Sequence, residues 1–329
     1  MSYSIYQDSK TNIDFITLKN DQLSATFLNF GARWHDFLTP DKNGKIENIL
    51  LTLDTPENIL ADTAQFGALV GPVAGRIKDA KWQNVRLEKN NGEHHIHGGS
   101  HGWWCQFWDY KIEETSSSTK VIFSLTDEIS GYPGPIQVIN TYELTKESVV
   151  MITTVTTETL TLVNPTNHVY FNLSGDAKNN IKNQQLFINS QHILETDQVN
   201  IPTGTLLPIA NTGYDFNQSR NIGEALSKLE SGIDDAYLLE STNPQIVLSD
   251  PISGRELSIS SNRDALVLFS TTGFNEAFKV NGQSMTSELG IAIETQELPD
   301  IVNHPEWGNI ELKPGFSKVF KTEYTIKLK

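Results

Sequence analysis

Residues 167–173 read Asn-His-Val-Tyr-Phe-Asn-Leu, a run in which one histidine lies among aromatic and β-branched residues that favour a strand. Side chains of a strand alternate between its two faces, so the run predicts a polar face that carries His168, Tyr170 and Asn172. A histidine titrates close to neutral pH, and hydrogen-bonding neighbours suit it to proton transfer. Taken alone, the run also fits a histidine with a purely structural role.

Four further segments, far apart in the chain, place a polar group in strand-like or glycine-rich surroundings. They are residues 67–77 with Arg76, 94–99 with His97, 232–239 with Asp234, and 291–296 with Glu294 and Gln296. Arg76 lies in an apolar run where a solvated charge is unexpected, so it needs a partner. Glu294 and Gln296 are two residues apart on a predicted strand and therefore share one face.

With these segments the chain resembles the aldose 1-epimerase (galactose mutarotase) family. Residues 166–173 are close to the family signature Thr-Asn-His-x-Tyr-Phe-Asn-Leu, and the His-Gly-Gly, Gly-x-Asp, Glu-x-Gln and Ala-x-Arg-Ile segments occur in the family's order. The resemblance runs from residue 29 to the C-terminus. It implies an all-β supersandwich with few short helices and an open sugar cleft on one sheet.

The resemblance also implies an activity, the interconversion of the α and β anomers of a free aldohexose such as galactose or glucose. In the family pattern His168 corresponds to the general acid and Glu294 to the general base. The side chains that the pattern and the shared strand face assign to sugar binding are Arg76, His97, Asp234 and Gln296. Opening and closing a pyranose ring needs one acid and one base, so no metal and no cofactor is expected.

Three positions depart from the family pattern. Pro72 and Gly75 stand where arginine and asparagine are frequent, and Asp235 follows Asp234 where a histidine is usual. Pro72 and Gly75 remove hydrogen-bond donors beside Arg76, and a site with fewer donors rejects the wrong epimer less strongly. We therefore expect modest selectivity between galactose and glucose.

The composition sets outer bounds on partners. The chain has 329 residues, with 25 basic and 40 acidic side chains, which give a formal net charge of −15. This charge repels nucleic acid and anionic membrane surfaces, so neither is a predicted partner. The family resemblance implies a small-molecule sugar as the partner, and the chain is expected to be a monomer or homodimer. No linker or repeat divides residues 1–329, which predicts a single domain.

The cellular compartment is predicted from the N-terminus and the cysteine content. Residues 1–8 lack the basic start and apolar core of a secretory signal, and no stretch approaches a membrane-spanning length. Cys105 is the single cysteine, which excludes an internal disulfide and fits a reducing cytoplasm.

Strand signals dominate the chain. Short apolar runs at 121–123, 149–152 and 266–269 are bounded by polar turns. Helix signals are few: Thr55 and Pro56 form a start signal, and Ile222, Leu226 and Leu229 have helical spacing. Residues 116–118, three serines, predict a hairpin tip.

Other functions stay open from the residues alone. A non-catalytic sugar-binding protein would use a similar cleft, a glycoside hydrolase would pair Asp234 with Glu294, and a hexose-phosphate 1-epimerase would need several basic groups. His95 and His97 are two apart and are predicted to share a strand face, as metal ligands do, with His101 nearby. No acid or cysteine follows at a zinc-motif spacing, so His97 is assigned to the sugar.

Overall fold

The computed structural model describes residues 1–275 and 278–329, and antiparallel strands dominate these ranges. The strand Ile136–Leu144 shows why they form: Ile136 and Val138 are buried, whereas Gln137 and Ile139, which alternate with them, are exposed. Such alternation suits a sheet with one face on the core and one in water. The predicted all-β architecture is confirmed.

Within the described ranges, most strands belong to sheets of nine, six and five strands. The nine-stranded large sheet contains, in spatial order, Asp109–Glu114, Thr119–Asp127, Ile136–Leu144, Ser148–Thr157, Ser317–Leu328, Arg255–Ser261, Ile246–Asp250, Gln185–Ile188 and Arg220–Asn221. The six-stranded cleft sheet contains Tyr170–Phe171, Ile291–Gln296, Ala265–Ser270, Asp234–Leu239, Ser190–Thr196 and Pro202–Pro208. The N-terminal sheet contains Ser2–Gln7, Asp14–Lys19, Ser24–Leu28, Arg33–Pro40 and Ile46–Asn48.

Shorter strands pair two by two in the connections. These pairs are Leu69–Val70 with Thr166–Asn167, Arg76–Ile77 with His95–Ile96, Lys81–Trp82 with Val85–Arg86, Thr161–Leu162 with Glu311–Leu312, and Lys279–Val280 with Gln283–Ser284. The serines at 116–118 lie between two neighbouring strands of the large sheet, as predicted for a hairpin tip.

Helices in the described ranges are short: Pro56–Leu60 and Ile222–Leu226, with 3-10 turns at Lys78–Ala80, Trp103–Cys105, Ile181–Asn183, Ile301–Asn303 and Pro305–Trp307. The predicted start signal of the first helix is confirmed, because the Thr55 hydroxyl accepts the Asn58 N–H at 3.2 Å. The second helix ends before Leu229. None of these helices has the length and apolar character needed to cross a membrane.

The core lies where the three sheets meet, around the indole of Trp34 from the N-terminal sheet. Its ring centroid is 6.4 Å from Tyr142 and 5.1 Å from Tyr324, both on the large sheet. Phe171 from the cleft sheet approaches edge-on at 6.4 Å. One side chain thus ties the cleft sheet, and the site on it, to both other layers.

We expect Trp34→Ala to lower the free energy of unfolding by about 3–5 kcal/mol, because it removes a large buried ring and leaves a cavity at this junction. Urea denaturation followed by far-ultraviolet circular dichroism measures the effect. A loss below about 1 kcal/mol would contradict the central place given to this residue.

Candidate active site

The register of the cleft sheet brings distant residues to one face. Val267 lies opposite both Ala236 and Glu294 in the neighbouring strands. Cross-strand partners point to the same face, so Glu294 and Gln296 project on the same side as Asp234, two residues before Ala236. This face is the floor of a cleft of about 600 Å³ that contains all six residues predicted for the site.

The strand Ile291–Gln296 is buried along its whole length. Ile291 and Ile293 pack in the main core, whereas Glu294 and Gln296 alternate with them toward the cleft. The predicted shared face of Glu294 and Gln296 is therefore confirmed.

His168 does not lie within a continuous strand. The predicted strand over 167–173 is interrupted, because His168 N donates to Ala68 O at 2.9 Å and His168 O accepts from Gly67 N at 2.9 Å. His168 thus bonds to a loop instead of pairing with a strand of a sheet. It lies in the connection between the strands Thr166–Asn167 and Tyr170–Phe171. The histidine is thus held on both backbone groups at the cleft floor.

The predicted face of this run is only partly correct. His168 and Tyr170 both line the cleft, with ring centroids 5.1 Å apart. Asn172 does not: its amide donates to Asn179 O at 2.7 Å and to Leu289 O at 2.6 Å inside the protein. The second strand ends at Phe171, so strand alternation does not continue to Asn172.

His168 and Glu294 form a buried pair, with Nε2 3.3 Å from Oε1 and side chains 7% and 3% exposed. The remaining polar atoms, His168 Nδ1 and Glu294 Oε2, have no hydrogen-bond partner among the described residues. Buried polar atoms without partners are costly, so a site that keeps them is built for a ligand that completes them.

Burial controls the protonation of this pair. It lowers the pKa of His168 to about 4, although the Asp62 carboxylate opposes the shift. Burial also raises the pKa of Glu294 well above its ordinary value, and the Asp234 charge adds to this. A nearby carboxylate does favour charged His168, as predicted, but it belongs to Asp62 rather than to Asp234 or Glu294, and burial outweighs it. Both His168 and Glu294 therefore favour their neutral forms.

His97 is fixed by backbone hydrogen bonds. Gly75 N–H donates to His97 Nδ1 at 3.3 Å, and burial lowers the pKa of His97 well below its ordinary value. A neutral imidazole whose Nδ1 accepts must carry its proton on Nε2. His97 therefore presents a donor in the cleft, and its ring lies 5.5 Å from that of His168.

The predicted shared face of His95 and His97 is wrong. The strand ends at Ile96, because His97 has a left-handed φ of 53°. His95 is fully buried, with Nδ1 2.8 Å from Glu88 O and its ring against Tyr132, outside the cleft. Within the described residues, no cluster of three or more potential metal ligands occurs.

Arg76 and Asp234 lie on the cleft with support from loop asparagines. Arg76 Nε donates to Asn91 Oδ1 at 3.1 Å, and Asn200 Nδ2 donates to Asp234 Oδ2 at 3.5 Å. Burial lowers the pKa of Arg76 while Asp234 raises it, so the two charges sense each other. The Asp234 side chain keeps exposed surface, but the surrounding protein desolvates its carboxyl and raises its pKa.

Asp235 also borders the cleft but belongs to the opposite face of its strand by alternation. Its carboxylate accepts the Asp234 N–H at 3.1 Å. Burial raises the pKa of Asp235 to about 7. The sequence left open which of the two acids points into the cleft. The strand register shows that it is Asp234, which lies on the same face as Glu294.

Gln296 and three aromatic rings complete the walls. Gln296 is fully buried, and within residues 1–275 and 278–329 neither polar atom of its amide has a hydrogen-bond partner. Phe269 and Phe274 line the cleft with ring centroids 5.8 Å apart, and Trp104 lies on another wall. Apolar rings next to unpaired amides suit a ligand with both C–H faces and hydroxyl groups.

Sequence reasoning missed several of the lining residues. Phe269 had a usable signal, because it alternates with buried Leu268 on a predicted strand. Tyr170 was assigned to the face of His168 but not to the site. Asn91 and Asn200 lie in polar loops, where no periodic pattern marks a side chain that reaches the cleft.

The sheets and their cleft define a galactose mutarotase-like protein. A galactose 1-epimerase structure from Lactobacillus acidophilus NCFM superimposes with a TM-score of 0.88 at 28% identity, covering 99% of this chain and 98% of that one. The family model for aldose 1-epimerase matches residues 14–325. The chain belongs to the aldose 1-epimerase family, a family of isomerases.

Two curated relatives have full-length similarity. An aldose 1-epimerase of Streptococcus thermophilus is 32% identical, with 91% of this chain and 89% of that protein covered. A maltose epimerase of Levilactobacillus brevis is 34% identical, with 92% of each covered. The family resemblance predicted from the short motifs is confirmed.

Proposed function

We propose that this protein is a mutarotase that interconverts the α and β anomers of a free aldohexose, galactose or glucose, with Glu294 as the base and His168 as the acid. The observation that carries the proposal is the 3.3 Å contact between two buried titratable groups on the cleft. Family membership supports the reaction.

Proton accounting supports these roles. Ring opening removes the O1 proton and adds one to the ring oxygen O5, so that the C1–O5 bond breaks and an aldehyde forms. If Glu294 accepts the O1 proton and His168 donates to O5, an ion pair becomes a neutral pair with the same total number of protons. Rotation about C1–C2 and the reverse transfers then close the other anomer, and no proton is exchanged with solvent.

The pKa directions fit this cycle. Burial favours the neutral pair, which is the state that accompanies the open chain. A bound closed sugar must therefore stabilise the ion pair, through its O1 hydroxyl on the Glu294 carboxylate and its O5 on the His168 N–H. The ion pair and the neutral pair contain the same number of protons. The same two residues can therefore open the ring of either anomer and close it again.

The same proposal assigns sugar hydroxyls to Arg76, His97, Asp234 and Gln296. His97 Nε2–H and the Arg76 guanidinium supply donors, and the Asp234 carboxylate supplies acceptors. The unpaired Gln296 amide offers both. These four side chains come from four separated segments, so a sugar that contacts all of them is held in one orientation.

We expect Arg76→Ala to raise the KM about tenfold or more, because it removes a donor to a sugar hydroxyl and the cation that lowers the pKa of Asp234. Initial-rate polarimetry over a range of sugar concentrations gives KM and kcat separately. The control is Arg86→Ala, because Arg86 is exposed and lies outside the cleft. We expect this control to keep the wild-type KM and kcat. An unchanged KM in folded Arg76→Ala would contradict the assignment.

We expect kcat/KM to be constant around neutral pH and to fall on both sides. As pH drops through about 4, the His168 ring gains a proton while Glu294 stays protonated, so no base remains. As pH rises through the elevated pKa of Glu294, the pair loses its single proton and no acid remains. Polarimetry corrected for spontaneous mutarotation measures the profile, and a tenfold decline between pH 7 and pH 6 would contradict it.

The direct test of the function is polarimetry of α-D-galactose and α-D-glucose with the purified protein. Faster approach to anomeric equilibrium, unchanged by EDTA, is the expected result. Binding without acceleration would instead support a non-catalytic sugar-binding protein. Activity that disappears with EDTA and returns with zinc would refute the acid–base mechanism.

The same assay with 6-phosphorylated sugars distinguishes a hexose-phosphate 1-epimerase from an enzyme that acts on free sugars. Of the described residues that line the cleft, Arg76 is the one lysine or arginine. A phosphate site normally uses several cations, so we expect no preference for the phosphorylated sugars.

A reducing disaccharide is a second candidate substrate. The cleft of about 600 Å³ equals the volume of roughly twenty waters at about 30 Å³ each. A hexose has twelve non-hydrogen atoms, so space remains for a substituent, and one relative at 34% identity is named a maltose epimerase. Adding maltose to the polarimetric panel tests this candidate independently of the monosaccharides.

The proposed setting is the cytoplasm, which the lone Cys105 supports, with the protein as a monomer or homodimer.

A further inference from the structure

A buried ion pair lies beneath the wall of the cleft. Arg33 begins the strand Arg33–Pro40, and Asp62 follows the helix Pro56–Leu60; Nη1 and Oδ2 are 2.6 Å apart with side chains 1% and 3% exposed. Removing two charges from water is costly, and an apolar pair of similar volume often serves the fold as well. The proposed acid–base chemistry does not use either residue directly.

Further hydrogen bonds of the pair go to backbone that forms the cleft. Asp62 accepts the N–H groups of Ala64 and Phe66, each at 2.8 Å. Arg33 donates to Phe66 O at 2.8 Å and to Trp104 O at 3.4 Å. One ion pair therefore joins two separate walls, because Ala64 and Trp104 both line the cleft.

The segment held by Asp62 is the one that holds His168. Residues 67 and 68 make both backbone hydrogen bonds of His168, at 2.9 Å each. Ala64 O accepts the Tyr170 hydroxyl at 3.0 Å, and the Tyr170 ring packs beside His168. The ion pair is therefore connected to His168 through hydrogen bonds made by residues 64–68, which closely follow Asp62 in the chain.

We propose that Arg33 and Asp62 are positioning residues that fix the 63–68 segment, and through it His168 and Tyr170, against Glu294. The inference rests on the proposed mutarotase function and deepens it. Acid–base transfer requires donor and acceptor within hydrogen-bond reach, and small displacements of such groups are costly. A loop with a left-handed φ of 53° at Gln65 needs this external support to keep one conformation.

Electrostatics supports the same assignment. The Asp62 carboxylate raises the pKa of His168 and the Arg33 guanidinium lowers it, so both charges act on the imidazole. The two charges oppose each other at His168, and the effect of Asp62 is the larger.

The test is Asp62→Asn, which keeps the shape and an acceptor but removes the charge that binds Arg33. We expect kcat for the best monosaccharide to fall about tenfold or more, with KM within threefold, because Arg76, His97, Asp234 and Gln296 lie on other segments. The matched control is Glu47→Gln. That carboxylate is also buried and paired with Arg255 at 3.1 Å, but it lies outside the cleft.

Thermal unfolding of both variants separates stability from positioning. Lower melting temperatures in both, with kcat reduced only in Asp62→Asn, support the inference. Folded Asp62→Asn with kcat within threefold of wild type overturns it, as does an equal loss of kcat in Glu47→Gln.

Arg33→Lys is the second variant. It keeps the charge but cannot reach Asp62, Phe66 O and Trp104 O together, so we expect an intermediate kcat. If Asp62→Asn does not fold, Arg33→Lys carries the test: wild-type kcat in this variant overturns the inference. Wild-type protein without activity on any sugar would instead refute the proposed function.

Discussion

Replacement of Glu294 by glutamine is expected to reduce kcat at least ~10²-fold while sugar affinity stays within several-fold of wild type. The amide has nearly the same shape and can still bond to O1, but it cannot take the O1 proton at neutral pH. The loss corresponds to about 2.7 kcal/mol of transition-state stabilisation. Polarimetry gives kcat, and isothermal calorimetry gives the affinity.

Glu297→Gln provides a matched control for this variant. Glu297 lies three residues along the same chain segment, but its carboxylate pairs with Arg263 at 2.8 Å and does not line the cleft. We expect this control to keep wild-type kcat. Near-wild-type turnover in folded Glu294→Gln would show that another group is the base.

Replacement of His168 by asparagine should have a similar effect on kcat, at least ~10²-fold, because the amide cannot donate a proton to O5 and recover it. Burial of the site makes the loss severe, since bulk water cannot substitute for the imidazole. Sugar affinity should change little, as the four proposed hydroxyl ligands remain. The same polarimetric and calorimetric measurements apply.

His95→Asn is the control for the second variant. His95 is buried like His168, but its ring faces Glu88 O and Tyr132 rather than the cleft. A folded His168→Asn enzyme with ordinary turnover would sink the acid assignment. The double variant Glu294→Gln/His168→Asn should be hardly worse than either single one, because the two groups act as a unit.

Two-residue periodicity predicted the parts of the site that lie on regular strands. Glu294 and Gln296 alternate with Ile291 and Ile293, so their common face followed from the sequence. The same rule failed for His95 and His97, because His97 adopts a left-handed conformation that ends the strand. The pattern of side chains in the sequence does not show that a histidine will adopt a left-handed backbone conformation.

The pairing of strands that are distant in the chain could not be predicted from local sequence patterns. The sequence suggested that Asp234 and Glu294 meet, but only the register through Val267 places both on one face. Family resemblance supplied the order of the motifs and so anticipated the cleft. It did not anticipate Asn91 and Asn200, whose loop positions depend on turns that the chain makes elsewhere.

The hydrogen-bonding potential left open in the cleft has a consequence for the evolution of this enzyme. The Gln296 amide and the second Glu294 oxygen are buried without a hydrogen-bond partner in the described part of the chain, so they stabilise the fold less than apolar side chains would. Selection for heat resistance alone would therefore remove them, and selection for turnover would restore them. Activity and thermostability are in conflict at this strand, and variants that gain one there are expected to lose the other.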